Sequence, residues 1–254
     1  MTEYAPGTPS WVDLAAPDAD AAIAFYGGLF GWGLTDPRPE FGGYRNFLDD
    51  GRMVAGLSPM GEVAAWTTYV SVADADEVAA RITAGGGAVM FAPMAVGDLG
   101  RMAICADPEG VVFGLWEPAA MRGAEKVNAP VSLCWNELNA RDIGAVIPFY
   151  EAVFDWSAQE MPMGEDFAYT IFNLGERGVA GGFSLPAETP PEITPCWLTW
   201  FAVVDRDVSF ARAQELGATV RVPPMEVPGV GKMAVLVDPL GAPFGILQGE
   251  SPGE

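Results

Sequence analysis

A chain that contains no histidine has to do any proton chemistry with other groups. Here the groups best placed for it are carboxylates set among aromatic rings. Asp13 stands two residues after Trp11, Glu137 stands two after Trp135, and Glu117 closes a segment that begins at Phe113. Desolvation by such neighbours disfavours the charged carboxylate, raises its pKa and makes it a usable base near neutrality. Asp13, Glu117 and Glu137 are therefore the candidate catalytic residues. The absence of imidazole excludes Ser-His-Asp and Cys-His hydrolases and His-ligated zinc or iron. The three cysteines, Cys105, Cys134 and Cys196, form no CxxC pair and read as buried free thiols of a reducing compartment. The triple glycine at 85–87 has no GK[ST] after it, so it reads as a helix stop and not as a phosphate loop.

Charge narrows the partners. With 13 Lys+Arg against 34 Asp+Glu, the chain carries a formal charge of −21. Nucleic acids and anionic membranes both require a basic footprint, so neither is expected as a partner. No apolar run approaches the twenty residues of a membrane span, and MTEYAPGTPS at the start lacks the basic and apolar regions of a signal peptide. The expected location is cytoplasmic. A length of 254 residues allows one large domain or two smaller ones.

The elements that must position these residues come from an internal repeat. WVDLAAPDADAAIAFYGGLFGW (11–32) matches WNELNARDIGAVIPFYEAVFDW (135–156) at an offset of 124. PMAVGDLGRMAICADPEGVVFGLWE (93–117) matches PMEVPGVGKMAVLVDPLGAPFGILQ (224–248) at an offset of 131, with 11 identities in 25 positions. The Pro-rich stretch at 186–195 absorbs much of the difference. These limits give a first domain over 1–118, a linker over 119–130 and a second domain over 131–254. Within each copy the pattern reads as strand, helix and three strands, and then the same order again. In the first copy the helices are expected at 19–30 and 75–83, where apolar residues recur at three- and four-residue spacing. The FYxxxFxW residues of the first helix (Phe25, Tyr26, Phe30, Trp32) and their counterparts are expected in the core.

This order, the FYxxxFxW helix and the DPxG turn before the last strand resemble the vicinal oxygen chelate superfamily, which includes glyoxalases, bleomycin-resistance proteins and extradiol dioxygenases. The likeness extends to two-domain actinobacterial members, a mycobacterial glyoxalase-like antigen and anthracycline-pathway auxiliaries among them. It implies an α+β fold of two tandem domains, each a pair of βαβββ units forming an open β-cup. It also implies metal ligands on the first and last strands of each unit. Carried over position by position, those slots hold Trp11 and Trp135, Thr67 and Leu198, Glu117 and Gln248, and the segments 55–57 and 181–183. One carboxylate and one amide are too few for a catalytic divalent metal, so neither a metal nor another cofactor is expected.

Strand alternation then suggests what the cups contain. Counting from the family's slots, the first copy presents Trp11, Asp13, Thr67, Tyr69, Phe113 and Glu117, and the second presents Trp135, Glu137, Trp200, Phe244 and Gln248. Aromatic walls with a few acids suit a small planar organic ligand. The same aromatics also suit an ordinary core. The resemblance implies a metal-independent binding protein for a planar antibiotic or polyketide, acting in self-resistance or beside a biosynthetic oxygenase as partner. The alternative is a metal-free isomerase, cyclase or lyase with a cup carboxylate as base, and lactoylglutathione lyase or dioxygenase activity is the weaker reading. A monomer is expected, its two copies pairing pseudo-symmetrically.

Overall fold

The computed structural model describes residues 4–163, 167–190 and 193–250. Met1–Glu3, and Pro191 and Glu192 of the Pro-rich stretch, lie outside the described residues. The first copy runs β1 (Pro9–Ala15), α1 (Ala19–Phe30), β2 (Gly33–Leu34), β3 (Arg45–Asp49), β4 (Arg52–Ser58), β5 (Ala65–Ser71), α2 (Ala75–Ala84), β6 (Ala88–Val96), β7 (Gly100–Ala106) and β8 (Val112–Pro118). The second runs β9 (Leu133–Ala140), α3 (Ile143–Phe154), β10 (Ser157–Pro162), β11 (Ala168–Leu174), β12 (Arg177–Ser184), β13 (Cys196–Ala202), α4 (Arg206–Glu215), β14 (Thr219–Val227), β15 (Gly231–Val237) and β16 (Pro243–Gly249). This is βαβββ four times over, in an α+β fold of two tandem domains.

Each copy forms one eight-stranded sheet, in the orders β2-β3-β4-β1-β5-β8-β7-β6 and β10-β11-β12-β9-β13-β16-β15-β14. Within a βαβββ unit the first strand pairs in parallel with the last, as β1 does with β4 and β5 with β8. Each helix is the crossover that a parallel pair requires. An aspartate starts each of the four α-helices among the described residues. The side chains of Asp18, Asp74, Asp142 and Asp205 accept hydrogen bonds from backbone N–H groups of the first turn, so part of the acidic excess is helix capping.

Contacts divide the chain into two compact units that interleave the copies. Unit I comprises Met1–Trp11, Thr68–Gly123 and Asn136–Leu198, and unit II comprises Val12–Thr67, Ala124–Trp135 and Thr199–Glu254. Each unit thus joins one half of the first copy to the opposite half of the second. In unit II the rings of Phe25, Tyr26, Phe30 and Trp32 pack with Phe47, Trp66, Phe201 and Phe244. In unit I, Phe149, Tyr150, Phe154 and Trp156 pack with Phe113, Phe172 and Trp197. Both cores are aromatic, and each fully buried ring contributes about 1.5–3 kcal/mol.

A polar triad runs through each core. The Tyr26 hydroxyl donates to Asp238 Oδ2 (3.0 Å) and accepts from Trp66 Nε1 (2.9 Å). The Tyr150 hydroxyl donates to Asp107 Oδ2 (2.9 Å) and accepts from Trp197 Nε1 (3.1 Å). Burial raises the pKa of both aspartates, against the lowering effect of hydrogen bonds from Val111 and Tyr150 in one case and from Ala242 and Tyr26 in the other. Burial also pushes both phenols well above their ordinary value. The aspartates are those of the two DPxG turns, and the tyrosines are those of the FYxxxFxW helices. The two motifs therefore meet across copies.

Candidate functional site

Strand register decides which of the candidate residues lie on the face of the sheets away from the helices. In parallel pairing, Tyr69 lies beside Gly114 and Ser71 beside Trp116, while Val70 lies beside Leu115. Paired residues point the same way. The face of Tyr69 therefore includes Gly114 and Trp116, and the opposite face carries Val70, Phe113, Leu115 and Glu117. Phe113 belongs to the helix-side core of unit I. In the second copy Trp200 pairs with Gly245 and Phe201 with Ile246, which puts Phe244 into the helix-side core of unit II.

Four sequence expectations are corrected by this register. Phe113 and Phe244 are core residues and line no cup. Glu117 accepts from the Ala75 backbone N–H at the start of α2 (2.9 Å) and from Arg101 Nη1 (3.0 Å), so it caps a helix and is ion-paired instead of poised as a base. Gln248 Oε1 accepts from the Arg206 backbone N–H at the start of α4 (3.0 Å), which is the same capping role. The reason is a one-residue offset. Alternation anchored on the final slot at 117 and 248 starts one residue out of phase, and a shift of one residue turns every side chain to the other face.

The remaining candidates lie outside the helix-side clusters. Val12 and Leu14 sit in the helix-side core, which leaves Asp13, between them on β1, on the other face. Asp13 and Glu137 are each only 8% exposed. Trp11, Tyr69 and Trp200 are buried and fall outside the helix-side clusters, whereas Thr67 and Trp135 are half-buried.

The structure adds two tyrosines that sequence reasoning missed. In unit II the Tyr44 hydroxyl donates to Asp13 Oδ2 (3.3 Å). In unit I the Tyr169 hydroxyl donates to Glu137 Oε2 (3.0 Å), and Asn139 Nδ2 donates to Glu137 Oε1 (3.1 Å). Glycine makes this possible. A Cβ on Gly56 would stand 1.8 Å from the Tyr44 hydroxyl, and one on Gly181 would stand 2.1 Å from that of Tyr169. The rings of Tyr69 and Trp200 likewise lie on Gly114 and Gly245, 2.1 and 2.2 Å from where a Cβ would be. The signal was present in the sequence as a glycine recurring in the last strand of every βαβββ unit, at 56, 114, 181 and 245.

These side chains do not fit a divalent metal. Among the described residues no group of three or more His, Cys, Asp or Glu is placed to hold one. Glu117 and Gln248 face the helices, and the last-strand positions beside Asp13 and Glu137 are the glycines 56 and 181. A carboxylate hydrogen-bonded by a phenol can instead accept a proton or a hydrogen bond from a ligand, and rings laid flat on glycine offer stacking surface. Cys105 is buried and Cys134 and Cys196 are half-buried, and burial pushes Cys105 up to about 11 and Cys134 up to about 12, which makes those two poor nucleophiles at neutral pH. No helix among the described residues is long and apolar enough to cross a membrane.

Comparison with known proteins agrees with this fold. The family model described as the glyoxalase/bleomycin resistance protein/dioxygenase superfamily matches residues 8–115. The chain is 38% identical over 255 residues to the putative glyoxylase CFP32 of Mycobacterium tuberculosis, covering 97% of each chain. It is 37% identical over 266 residues to the anthracycline biosynthesis protein DnrV of Streptomyces peucetius, covering 98% of this chain and 95% of that one. Among solved structures, the Mn(II)-bound glyoxalase from Novosphingobium aromaticivorans superposes with a TM-score of 0.67 at 16% identity, covering 96% of this chain and 82% of that one. The 2,3-dioxygenase LapB from Pseudomonas sp. KL28 does so with a TM-score of 0.67 at 14% identity, covering 98% and 94%. At these identities the two structures speak for the fold alone.

Proposed function

Because the chain belongs to the glyoxalase/bleomycin resistance protein/dioxygenase superfamily, we propose that it uses the family's sheet face without the family's metal, as a binding protein for a planar aromatic small molecule. One observation carries the reading. On the sheet face away from the helices, each unit has a ring laid on a glycine and a phenol–carboxylate pair. Apolar stacking surface with few, fixed polar groups is what a flat organic ligand requires. Similarity to an anthracycline biosynthesis protein favours an antibiotic or polyketide as the ligand class. The protein would hold that ligand for self-resistance or for presentation to a biosynthetic oxygenase, acting as a cytoplasmic monomer. Titration with a substituted anthraquinone tests this. Saturable quenching of tryptophan fluorescence, unchanged by chelator and without turnover, is the expected result. Binding that requires added metal, or no binding of any planar aromatic, would refute it.

The phenol–carboxylate pairs favour a second reading, a metal-free isomerase, cyclase or lyase in which Asp13 or Glu137 takes a proton and Tyr44 or Tyr169 supplies one. Its signature is turnover with a pH–rate limb that Asp13→Asn or Glu137→Gln removes.

A further inference from the structure

Asn46 is a buried amide with an unused acceptor. It is 3% exposed, its Nδ2 donates to Met53 Sδ (3.3 Å), and its Oδ1 accepts no hydrogen bond from any described residue. A thioether sulfur accepts and cannot donate, so the contact with Met53 assigns the amide's orientation and leaves Oδ1 as the free atom. An acceptor left buried and unmet costs stability.

The position of Asn46 gives that cost a meaning. Gly56 pairs with Asp13 on one side and with Asn46 on the other. Asp13, Gly56 and Asn46 thus form one lateral row across β1, β4 and β3, within unit II, on the face away from the helices. In the second copy the corresponding row is Glu137, Gly181 and Ile171. The fold accepts an isoleucine at this position, so it does not require the amide. The surroundings differ in the same direction. Phe183 packs on Tyr169 and on Phe167, with ring centroids 6.4 and 5.4 Å apart, and the matching positions in the first copy are Ser58 and Gly42.

We propose that Asn46 is the specificity-determining residue of the first copy's binding face, accepting through Oδ1 an N–H or O–H of a planar aromatic ligand whose donor also reaches toward Asp13. This rests on the binding function proposed above and extends it to the ligand's chemistry and to the copy that reads it. The ring of Tyr44 lies over Gly56, so a ligand that reaches Asn46 has to displace it. The residues just before it, Gly42 and Gly43, have positive φ of 65° and 86°, conformations that glycine adopts without strain.

Two probes on the full chain test this, 2-aminoanthraquinone and 2-methylanthraquinone, titrated by tryptophan fluorescence into wild type and Asn46→Ile. The expected result is about tenfold tighter binding of the amine by wild type. That preference is lost in Asn46→Ile, whose Tm is equal to or above that of wild type. A preference that survives Asn46→Ile, or a clear fall in its Tm, overturns the role of Asn46. Equal binding of both probes by wild type overturns it too, while leaving the aromatic-ligand function standing. Binding of neither probe refutes that function and the proposal with it.

Discussion

Two networks of the same chemistry, tyrosine on carboxylate, occur on the two faces of the sheets, and they have diverged differently. On the helix side, Tyr26–Asp238–Trp66 and Tyr150–Asp107–Trp197 repeat with the same residue types, the same partners and distances within about 0.2 Å of each other. On the other side, Asp13–Tyr44 and Glu137–Tyr169 repeat only in outline. The acid changes length, and the neighbour in the row changes from Asn46 to Ile171. A buried triad leaves no room for substitution, since every donor must keep its acceptor. The other face is under no such constraint, and under the proposed binding function a difference there is where the two copies would part in what they bind.

The largest effects should fall on the conserved side and be equal. Tyr26→Phe and Tyr150→Phe each remove a hydrogen bond to a buried carboxylate and orphan an indole N–H, at about 3 kcal/mol apiece. Urea unfolding of the two variants should agree to within about 1 kcal/mol, and a larger gap breaks the equivalence of the units. The other face should give unequal effects. Gly181→Ala drives Tyr169 against Phe183 and should cost about 2 kcal/mol, whereas Gly56→Ala, with Ser58 in place of that phenylalanine, should cost less. Equal losses would mean that the difference between the rows carries no energy.

Alkali probes the triads without mutation. Both phenols are raised in the folded chain, so they stay protonated while the unfolded chain ionises near pH 10. Their contribution is whole below pH 10 and falls by about 1.4 kcal/mol per pH unit per phenol above it. Stability measured from pH 9 to 11 should bend downward, and Tyr26→Phe or Tyr150→Phe should each remove one phenol's share of the slope, the rest coming from the other phenol and from Cys105, Cys134 and Tyr4, which burial also raises. The smallest effect belongs to the cap. Gln248→Ala should cost about 1 kcal/mol by leaving the Arg206 N–H unmet, with ligand binding intact. Glu117→Gln, which keeps an acceptor for the Ala75 N–H, should likewise leave binding intact. A loss of binding in either variant would return these residues to the site.

The order of elements, the duplication and the aromatic core were legible because they are written in local pattern: FYxxxFxW at helical spacing, DPxG before a strand, glycine at the stops. The partner of each pattern was not. Tyr26 and Asp238 are 212 residues apart, and nothing in either motif says that it answers the other across the copies. Phe113, Phe244, Glu117 and Gln248 were misplaced for a different reason. Alternation has a period of two and no memory of which face it started on, so one misjudged anchor inverted a whole strand. Tyr44 and Tyr169 were missed because a ring that lies over a neighbouring strand's glycine leaves its trace on the glycine and not on the tyrosine.

The interleaving of the copies has a consequence for the chain's history and handling. Each hydrophobic core is assembled from both copies, so the peptide link between the copies is not all that keeps them together. A cut between the copies would sever one peptide bond, and the two fragments should stay associated through both cores. For the same reason neither copy can be discarded or traded by recombination without emptying half of both cores. The duplication has become irreversible, and a substitution in either copy is inherited as a property of the pair.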